Sequence, residues 1–325
     1  MTTTAEQAMQ FADAFGKLVA NVEQAVMGKN HVVRLALTCL VSGGHLLLED
    51  VPGTGKTVLA KAIAQTLQGT QNRIQFTPDL LPSDVTGVQI YDQRSGMFEF
   101  KPGPVFANIV LADEINRASP KTQSALLEVM EEGHVTVDGK AHAVASPFMV
   151  IATQNPIEQG GTYPLPEAQL DRFLMKTQLG YPDHHTTVAL LADAANRDRT
   201  TLVRQMVNAA TVTEMSRIAA GVHVDTAILE YVSRIAEETR PGRATGVTLG
   251  LSMRGALNFV RVAKTWAAAN GRNYVVPDDV KELAVPVLGH RILLDPEAQF
   301  SGATVPAVIA RILTDIKPPV HRTAV

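Results

Sequence analysis

Residues between Leu46 and Thr57 have the types and spacing that bind phosphate groups. They read Leu-Leu-Leu-Glu-Asp-Val-Pro-Gly-Thr-Gly-Lys-Thr, which predicts a buried strand, a loop with two glycines and the start of a helix. Because glycine has no Cβ atom, backbone N–H groups around Gly53 and Gly55 can approach phosphate oxygens closely. The Lys56 ammonium can neutralise those phosphates, and the Thr57 hydroxyl can bind Mg²⁺. The predicted nucleotide-binding residues of this loop are Pro52, Gly53, Thr54, Gly55, Lys56, Thr57 and Val58.

Position 50 is the departure from the general phosphate-loop pattern. That pattern is G-x-x-x-x-G-K-[ST], and Asp50 stands where the first glycine is usual. Aspartate adopts unusual backbone angles more readily than most residues, so the turn stays feasible. The rival dinucleotide pattern G-x-G-x-x-G fails, because its last position is Val58. A second motif is needed to confirm that the loop binds a nucleotide.

That second motif is a pair of acids after the apolar run Asn108–Ala112. Asp113, at the predicted strand tip, can hold the Mg²⁺ that bridges the phosphates, directly or through water. Glu114 can polarise a water molecule for in-line attack on the γ-phosphorus. The alternative is that the two carboxylates only cap the following helix. Together with the glycine loop, they favour a site that binds and hydrolyses a nucleoside triphosphate.

Four further polar residues could complete such a site. Asn155 follows another apolar strand, where its amide could orient the attacking water, although a plain turn before a proline would also place asparagine there. Arg172 could reach across a subunit interface as an arginine finger, or it could form an ordinary surface salt bridge. Arg254 opens a later helix and could close onto the γ-phosphate, or be helix-surface charge. Arg117 lies near the acids and ranks below Arg172 as an interface residue.

Hydrophobic periodicity divides the chain into two parts near residue 181. Residues 1–181 alternate strands and helices and predict an α/β core, whereas residues 182–325 predict a smaller all-α domain. Inside the α/β part, the Ser95-Gly96 turn signal predicts a hairpin or a small insertion, and Asp138-Gly139 predicts a hairpin.

Composition excludes several classes of protein. The 325 residues are 46% hydrophobic with a formal net charge of −3, which gives no general attraction to nucleic acid or anionic lipid. Cys39 is the single cysteine, so neither an intrachain disulfide nor a thiolate metal site is expected. The apolar window 35–48 is too short to cross a bilayer, and the N-terminal residues lack a signal-peptide pattern. We therefore expect a cytoplasmic protein without membrane insertion.

Longer runs around these motifs resemble the MoxR family of AAA+ ATPases. The resemblance covers roughly residues 20–320, and Asp50 itself is similar to the family's usual Glu-Asp-x-Pro-Gly approach to the loop. The runs that carry it are Ala112–Ala118, Gln123–Glu128, Ala152–Glu158 and Gly161–Phe173.

The resemblance implies a P-loop AAA+ core with a five-stranded parallel sheet of order 5-1-4-3-2, a helical lid, and a homo-oligomeric ring that is usually a hexamer. It implies ATP and Mg²⁺ as cofactors, with segment 83–106 as the helix-2 insert and 134–144 as the pre-sensor-1 hairpin. It implies that Met27 and Gly28 meet the adenine. The implied roles are Walker A for Lys56 and Thr57, Walker B for Asp113 and Glu114, sensor 1 for Asn155, arginine finger for Arg172 and sensor 2 for Arg254.

The resemblance also implies a chaperone-like ATPase that remodels or matures protein substrates. Family members often act with von Willebrand factor A-type partners in assembling complexes or inserting metal cofactors. Two alternatives stay open: a nucleic-acid-dependent motor, and a nucleotide-binding switch with little turnover. Segment 84–105 disfavours the motor, because three acidic residues against two basic ones leave it with a net charge of −1, whereas gripping a phosphate backbone would require Lys or Arg.

Overall fold

The computed structural model describes residues 2–51, 53–155, 161–192 and 198–319. These residues form two compact units. The core unit comprises Lys17–Phe173 and Thr177–Thr213, and the lid unit comprises residues 2–16, 174–176 and 214–319. The domain boundary near residue 181 stays a prediction, since the compact units divide the chain at other positions.

Helices and strands alternate through the first half of the chain and helices dominate the second half. The helices are α1 (Ala5–Glu23), α2 (Asn30–Val41), α3 (Lys56–Thr66), α4 (Pro82–Thr86), α5 (Pro120–Glu132), α6 (Glu167–Leu170), α7 (His184–Ala192), α8 (Ala209–Ala220), α9 (Thr226–Glu238), α10 (Met253–Ala269), α11 (Pro277–Leu288), α12 (Pro296–Phe300) and α13 (Val305–Asp315). The strands are β1 (Leu46–Glu49), β2 (Gln71–Gln75), β3 (Gly87–Asp92), β4 (Met97–Pro102), β5 (Ile109–Asp113), β6 (His134–Val137), β7 (Lys140–Ala143), β8 (Met149–Gln154), β9 (Met175–Thr177), β10 (Val247–Leu249) and β11 (Leu293–Leu294). Single 3-10 turns cover Ile115–Arg117 and Arg199–Leu202.

A five-stranded sheet, ordered β2-β5-β8-β1-β9, forms the centre of the α/β part. Counted along the chain, its strands have the order 5-1-4-3-2, which confirms the predicted fold class. The pairs β2–β5, β5–β8 and β1–β8 are parallel. β5 is buried throughout and β8 in its first five residues, as expected for strands covered on both faces. The carboxyl ends of β1, β5 and β8 therefore meet at one edge.

His45, directly before β1, forms hydrogen bonds with two neighbouring elements. The ring is buried, and its Nδ1 accepts the backbone N–H of Val150 at 2.9 Å. The other ring nitrogen, Nε2, lies 3.0 Å from the carbonyl oxygen of Met130. Because Nδ1 accepts, Nε2 carries the proton and donates it to that carbonyl. A neutral histidine thus links the amino end of β1 with β8 and with α5.

Both predicted hairpins are present. In β3–β4, a Cβ atom on Gly87 would lie 2.4 Å from the carbonyl oxygen of Lys101, so this position, with φ of +99°, requires glycine. In β6–β7, Asp138 and Gly139 both have positive φ, as the predicted Asp-Gly turn demands. The aromatic ring of Phe100 on β4 stacks on His142 of β7, with centroids 4.0 Å apart and planes at 27°. This stack joins the two hairpins.

The lid unit is mainly helical, as predicted, but it also contains a small sheet. β10 and β11 pair antiparallel, and they are too short for an alternating pattern to reveal them in the sequence. The buried carboxylate of Asp279 accepts two hydrogen bonds from the Arg272 guanidinium, at 2.5 and 2.6 Å. Hydrogen bonding with Asp279 raises the pKa of Arg272 above its ordinary value. This ion pair joins the start of α11 to the loop before it.

None of the helices in the described part of the chain is long and apolar enough to cross a membrane.

Candidate nucleotide site

The glycine loop, the acid pair and Asn155 lie at the carboxyl edge of the core unit's sheet. The glycine loop follows β1, Asp113 ends β5, and Asn155 follows β8 directly. β8 pairs with both neighbours, with Leu48 opposite Thr153 and Ala112 opposite Ala152. The expectation that Asn155 lies beside the acid-bearing strand is therefore confirmed at the level of strand register.

The loop has the conformation that phosphate binding requires. Gly53 and Gly55 have φ of +84° and +97°, in the region that favours glycine. A Cβ atom at Gly53 would meet nothing within 4 Å, so the space beside the loop is open to a ligand. Gly55 is the N-cap of α3 and provides no side-chain cap, which leaves the helix start suited to an anion. Pro52 lies outside the described residues.

Lys56 lies across the loop rather than pointing away from it. Its ammonium donates to the backbone carbonyls of Asp50 and Val51, at 3.1 and 3.2 Å. These are exchangeable contacts between a flexible cation and neutral acceptors, so phosphate oxygens could replace them at little cost. Thr57 follows in the first turn of α3 and is exposed, with Val58 beside it. The residues present therefore fit a polyphosphate.

Asp50 has a role that the sequence did not reveal. We expected aspartate there because it tolerates unusual backbone angles, but left-handed non-glycine backbone among the described residues occurs at Gln68, Glu114 and Asp138. The Asp50 carboxylate is buried and instead accepts the backbone N–H of Leu179 and of Gly180, the latter at 3.1 Å. It thereby ties the start of the phosphate loop to the segment that follows β9.

Asp50→Ala is expected to destabilise the core unit by about 2–4 kcal/mol, because the buried N–H of Leu179 and the part-buried N–H of Gly180 lose their acceptor. Nucleotide affinity should fall with it, since the loop loses its anchor. Asp50→Asn keeps one acceptor oxygen and should lose less. Thermal unfolding with and without nucleotide measures both effects, with the exposed Glu132→Ala as the matched carboxylate deletion. Equal behaviour of Asp50→Ala and Glu132→Ala would contradict the anchoring role.

Asp113 is held by two neighbouring strands. Its Oδ1 accepts the hydroxyl of Thr153 on β8 at 2.6 Å. Its Oδ2 accepts both the Nη2 of Arg73, at 2.6 Å, and the Nε of the same guanidinium, at 3.2 Å, from β2. The carboxylate is thus fixed at the strand tip, where the sequence predicted a magnesium ligand.

Glu114 adopts a left-handed backbone conformation, with φ of 56° and ψ of 49°. This costs a non-glycine residue about 1–2 kcal/mol, and such strain concentrates at functional sites. The Glu114 N–H donates to the hydroxyl of Thr153 at 2.9 Å, which holds the turn in place. The Glu114 Oε2 accepts Gln75 at 2.8 Å and Arg117 at 2.9 Å. Thr153 therefore positions both acids.

A magnesium ion would find only part of its ligand set in the chain itself. Among the described residues, no group of three or more His, Cys, Asp or Glu side chains could hold a metal. Mg²⁺ commonly takes one or two protein oxygens and completes its shell with phosphates and water. Thr57 and Asp113 supply oxygens of the required type, so these residues fit a metal that arrives with a nucleotide.

The predicted arginines lie at different places. Arg172 follows α6 and pairs with Glu131 of α5, with Nη2 and Oε2 2.9 Å apart. Arg117 pairs with Glu114, which places it in contact with an acid of the site. Arg254 is exposed in the first turn of α10, in the lid unit. The roles of all three arginines stay predictions.

The segment around Met27 and Gly28 packs closely against α7. Gly28 has φ of +70°, and a Cβ atom there would lie 2.7 Å from the hydroxyl oxygen of Thr186. The neighbouring Lys29 donates to the carbonyl of Tyr181 at 2.7 Å. Met27 is half-buried at this junction. Adenine contact by Met27 and Gly28 stays a prediction.

Sequence reasoning missed Thr153, Arg73 and Gln75. One signal was present for the last two: they stand two residues apart in a strand, so their side chains share a face of β2. Their partners are about 40 residues away in sequence. The parallel pairing of β2 with β5 brings Arg73 to Asp113 and Gln75 to Glu114.

These features define a class first. A glycine loop opening a helix, two acids on the next-but-one strand, and a 5-1-4-3-2 parallel sheet belong together in P-loop ATPases.

Comparison with known proteins narrows this class. Residues 45–175 match the ATPase family associated with various cellular activities (AAA), and residues 242–312 match the AAA lid domain. Bacillus subtilis YeaC, of uncharacterised function, is 47% identical over 95% of this chain and 96% of its own length. Chaperone MoxR1 of Mycobacterium tuberculosis is 40% identical over 93% of this chain and 82% of its own. A crystal structure of a presumed ATPase from Cytophaga hutchinsonii, 39% identical, superimposes with a TM-score of 0.90 over 97% of this chain and 98% of that one. The chain belongs to the MoxR family of AAA+ ATPases.

Proposed function

We propose that this chain binds ATP with Mg²⁺, hydrolyses it, and uses the cycle to remodel or mature partner proteins. The observation that carries the proposal is the meeting of the glycine loop, the acid pair and Asn155 at the ends of three adjacent strands. Membership of the MoxR family and the chaperone name of the Mycobacterium tuberculosis relative support it. The cytoplasmic location stays a prediction from the sequence.

The chemistry follows from the charges that each residue brings. Lys56 and the N–H groups at the start of α3 would hold the phosphates, and Asp113 with Thr57 would hold the metal, which would neutralise charge on the phosphoryl group. Glu114 accepts a hydrogen bond from the attacking water and draws its proton away. Asn155 orients that water by its amide. Every one of these groups acts by position and charge, which is how phosphoryl transfer is usually catalysed.

We further propose that the active assembly is a homo-oligomeric ring, with a hexamer as the expected size. Arg172 acts in this proposal on the nucleotide of the adjacent subunit, and Arg117 is the second candidate for that task. The 2.9 Å pair with Glu131 is then a resting contact, because both side chains are about one-third exposed and the pair can open. Arg254, a residue of the lid unit, acts on the γ-phosphate in the same proposal.

The protein substrate contacts the β3–β4 hairpin in this proposal. Phe98 and Met97 are 68% and 64% exposed, and Tyr91 lies against Phe98 with ring centroids 5.2 Å apart. Exposed apolar side chains of this kind mark contact sites for polypeptide. A von Willebrand factor A-type partner and a role in metal-cofactor insertion belong to the same proposal, on the strength of the family alone.

Two other functions remain as alternatives. A nucleic-acid-dependent motor is disfavoured by the net negative charge of segment 84–105. A nucleotide-binding switch with little turnover gains support from the Glu114 carboxylate, whose Oε2 is engaged by Arg117 and Gln75 rather than free for water.

Unfolded casein is expected to stimulate ATP turnover, and Phe98→Glu is expected to lower the ratio of stimulated to basal turnover at least about threefold. A carboxylate at that position would have to be desolvated against apolar polypeptide. Phe300→Glu, at a phenylalanine that is 93% exposed in the lid unit, is the matched control and should keep the wild-type ratio. Stimulation by DNA that weakens with salt, with none by casein, would favour the nucleic-acid motor instead.

A further inference from the structure

Arg73 forms an ion pair with Asp113, the acidic side chain that the proposed function assigns to the metal. It belongs to β2, where it pairs in register with Leu111. From there its guanidinium reaches along the strand to Asp113, with Nη2 2.6 Å and Nε 3.2 Å from the same oxygen, Oδ2. Nη2 also donates to the side-chain oxygen of Gln75 at 2.7 Å. A positive charge therefore lies where a metal would be recruited.

The contact of Arg73 with Asp113 occupies the acceptor sites of the carboxylate oxygen Oδ2. A carboxylate oxygen offers about two acceptor sites, and Oδ2 of Asp113 already accepts two N–H groups from Arg73. The other oxygen, Oδ1, accepts the Thr153 hydroxyl at 2.6 Å and by the same count keeps one acceptor site. Mg²⁺, or a water bound to it, therefore has no free site on Oδ2 until the guanidinium moves.

The two partners differ in their freedom to move. The Asp113 side chain is 13% exposed and is fixed by Thr153, whereas the Arg73 side chain is 49% exposed. A long, half-exposed side chain can change rotamer at small cost, and a partly exposed ion pair is weak. The arginine, and not the aspartate, is therefore the side that gives way.

We propose that Arg73 is a displaceable internal cation that occupies Asp113 before the magnesium-bound nucleotide arrives. It neutralises the carboxylate in the resting site and competes with the metal for Oδ2. Arg73 is thus a positioning residue that sets how strongly Mg²⁺ strengthens nucleotide binding. The inference rests on the proposed function, because it requires that the site binds a nucleotide with Mg²⁺.

The test measures the dissociation constant of ADP by calorimetry twice, once with excess Mg²⁺ and once with EDTA. The magnesium coupling is the dissociation constant in EDTA divided by the dissociation constant in Mg²⁺. Each variant's EDTA value serves as its own reference for folding and loop integrity. Arg73→Met, which keeps the apolar stem and removes the charge, is expected to raise this ratio about 5- to 10-fold. Arg73→Lys keeps the charge and should stay near wild type. Arg94→Met, at an exposed arginine in the β3–β4 turn, is the matched charge deletion and should leave the ratio unchanged.

The outcomes separate this inference from the proposed function. An unchanged or lowered ratio in Arg73→Met, with intact ADP binding in EDTA, would overturn the displaceable cation and show that Arg73 only orients Asp113. Absence of ADP binding in the wild-type chain under both conditions would overturn the proposed function and the inference together. A ratio that rises equally in Arg73→Lys would also overturn the inference, because the charge would then be irrelevant.

Discussion

Glu114→Gln is expected to keep ATP binding close to wild type and to lower ATP turnover by about 10²- to 10⁴-fold, the usual contribution of a general base. Glutamine has the same length, and its amide oxygen can still accept from Arg117 and Gln75 as the glutamate does now. What it loses is the negative charge that draws a proton from the attacking water. The change therefore isolates the chemical step from the geometry of the site.

Two measurements are needed for this variant. Fluorescent-nucleotide titration reports binding, and phosphate release reports turnover. Glu132→Gln, at an exposed glutamate that ends α5, is the matched control and should leave both unchanged. Turnover at the wild-type rate in Glu114→Gln would remove Glu114 from the mechanism, whereas loss of binding would indicate that its strained turn, and not its charge, had been disturbed.

Arg172→Ala is expected to lower turnover about 10³-fold or more, which is the range found for arginine fingers in phosphoryl transfer. Nucleotide binding should change little, because in this proposal each Arg172 contacts the nucleotide of the adjacent subunit and not that of its own subunit. Rings mixed with a Lys56→Ala subunit, which keeps Arg172 but lacks the phosphate-binding ammonium, should recover part of the turnover. The readout is phosphate release against the mixing ratio.

Glu131→Gln is the informative control for Arg172. It removes the charged partner of the intrachain pair and leaves the arginine in place. If the pair mattered only for folding, both variants would lose stability and turnover together. If Arg172 acts on the adjacent subunit, Glu131→Gln should keep turnover or raise it, since the guanidinium is freed. Full activity of an isolated monomer would contradict the finger.

Local sequence signals predicted most of the fold and where most residues of the candidate site lie in the sheet. The leucines of β1 and the Asp138-Gly139 turn each specify their element through neighbouring residues, and both elements are present. Ser119-Pro120 is a local signal of the same kind, typical of a helix start, and α5 begins there. The Ser119 side chain accepts the N–H of Thr122, as an N-cap should.

The remainder depended on contacts distant in sequence. Asp50 accepts hydrogen bonds from residues 129 and 130 positions away, and Arg73 meets its partner, 40 residues away, on the neighbouring strand. No window of neighbouring residues contains such information, since the partners become neighbours only when the sheet has formed.

The stack of Phe100 on His142 has a mechanical consequence. One ring belongs to the hairpin with the exposed apolar tip, and the other to the hairpin that leads into β8. β8 carries Thr153 and ends beside Asn155. Under the proposed function, a pull on the outer hairpin would reach β8 through one pair of rings and one short length of chain, and Thr153 of β8 hydrogen-bonds both acids. The contact with a polypeptide and the cleavage of the nucleotide would then be coupled, within each subunit, through the Phe100–His142 stack.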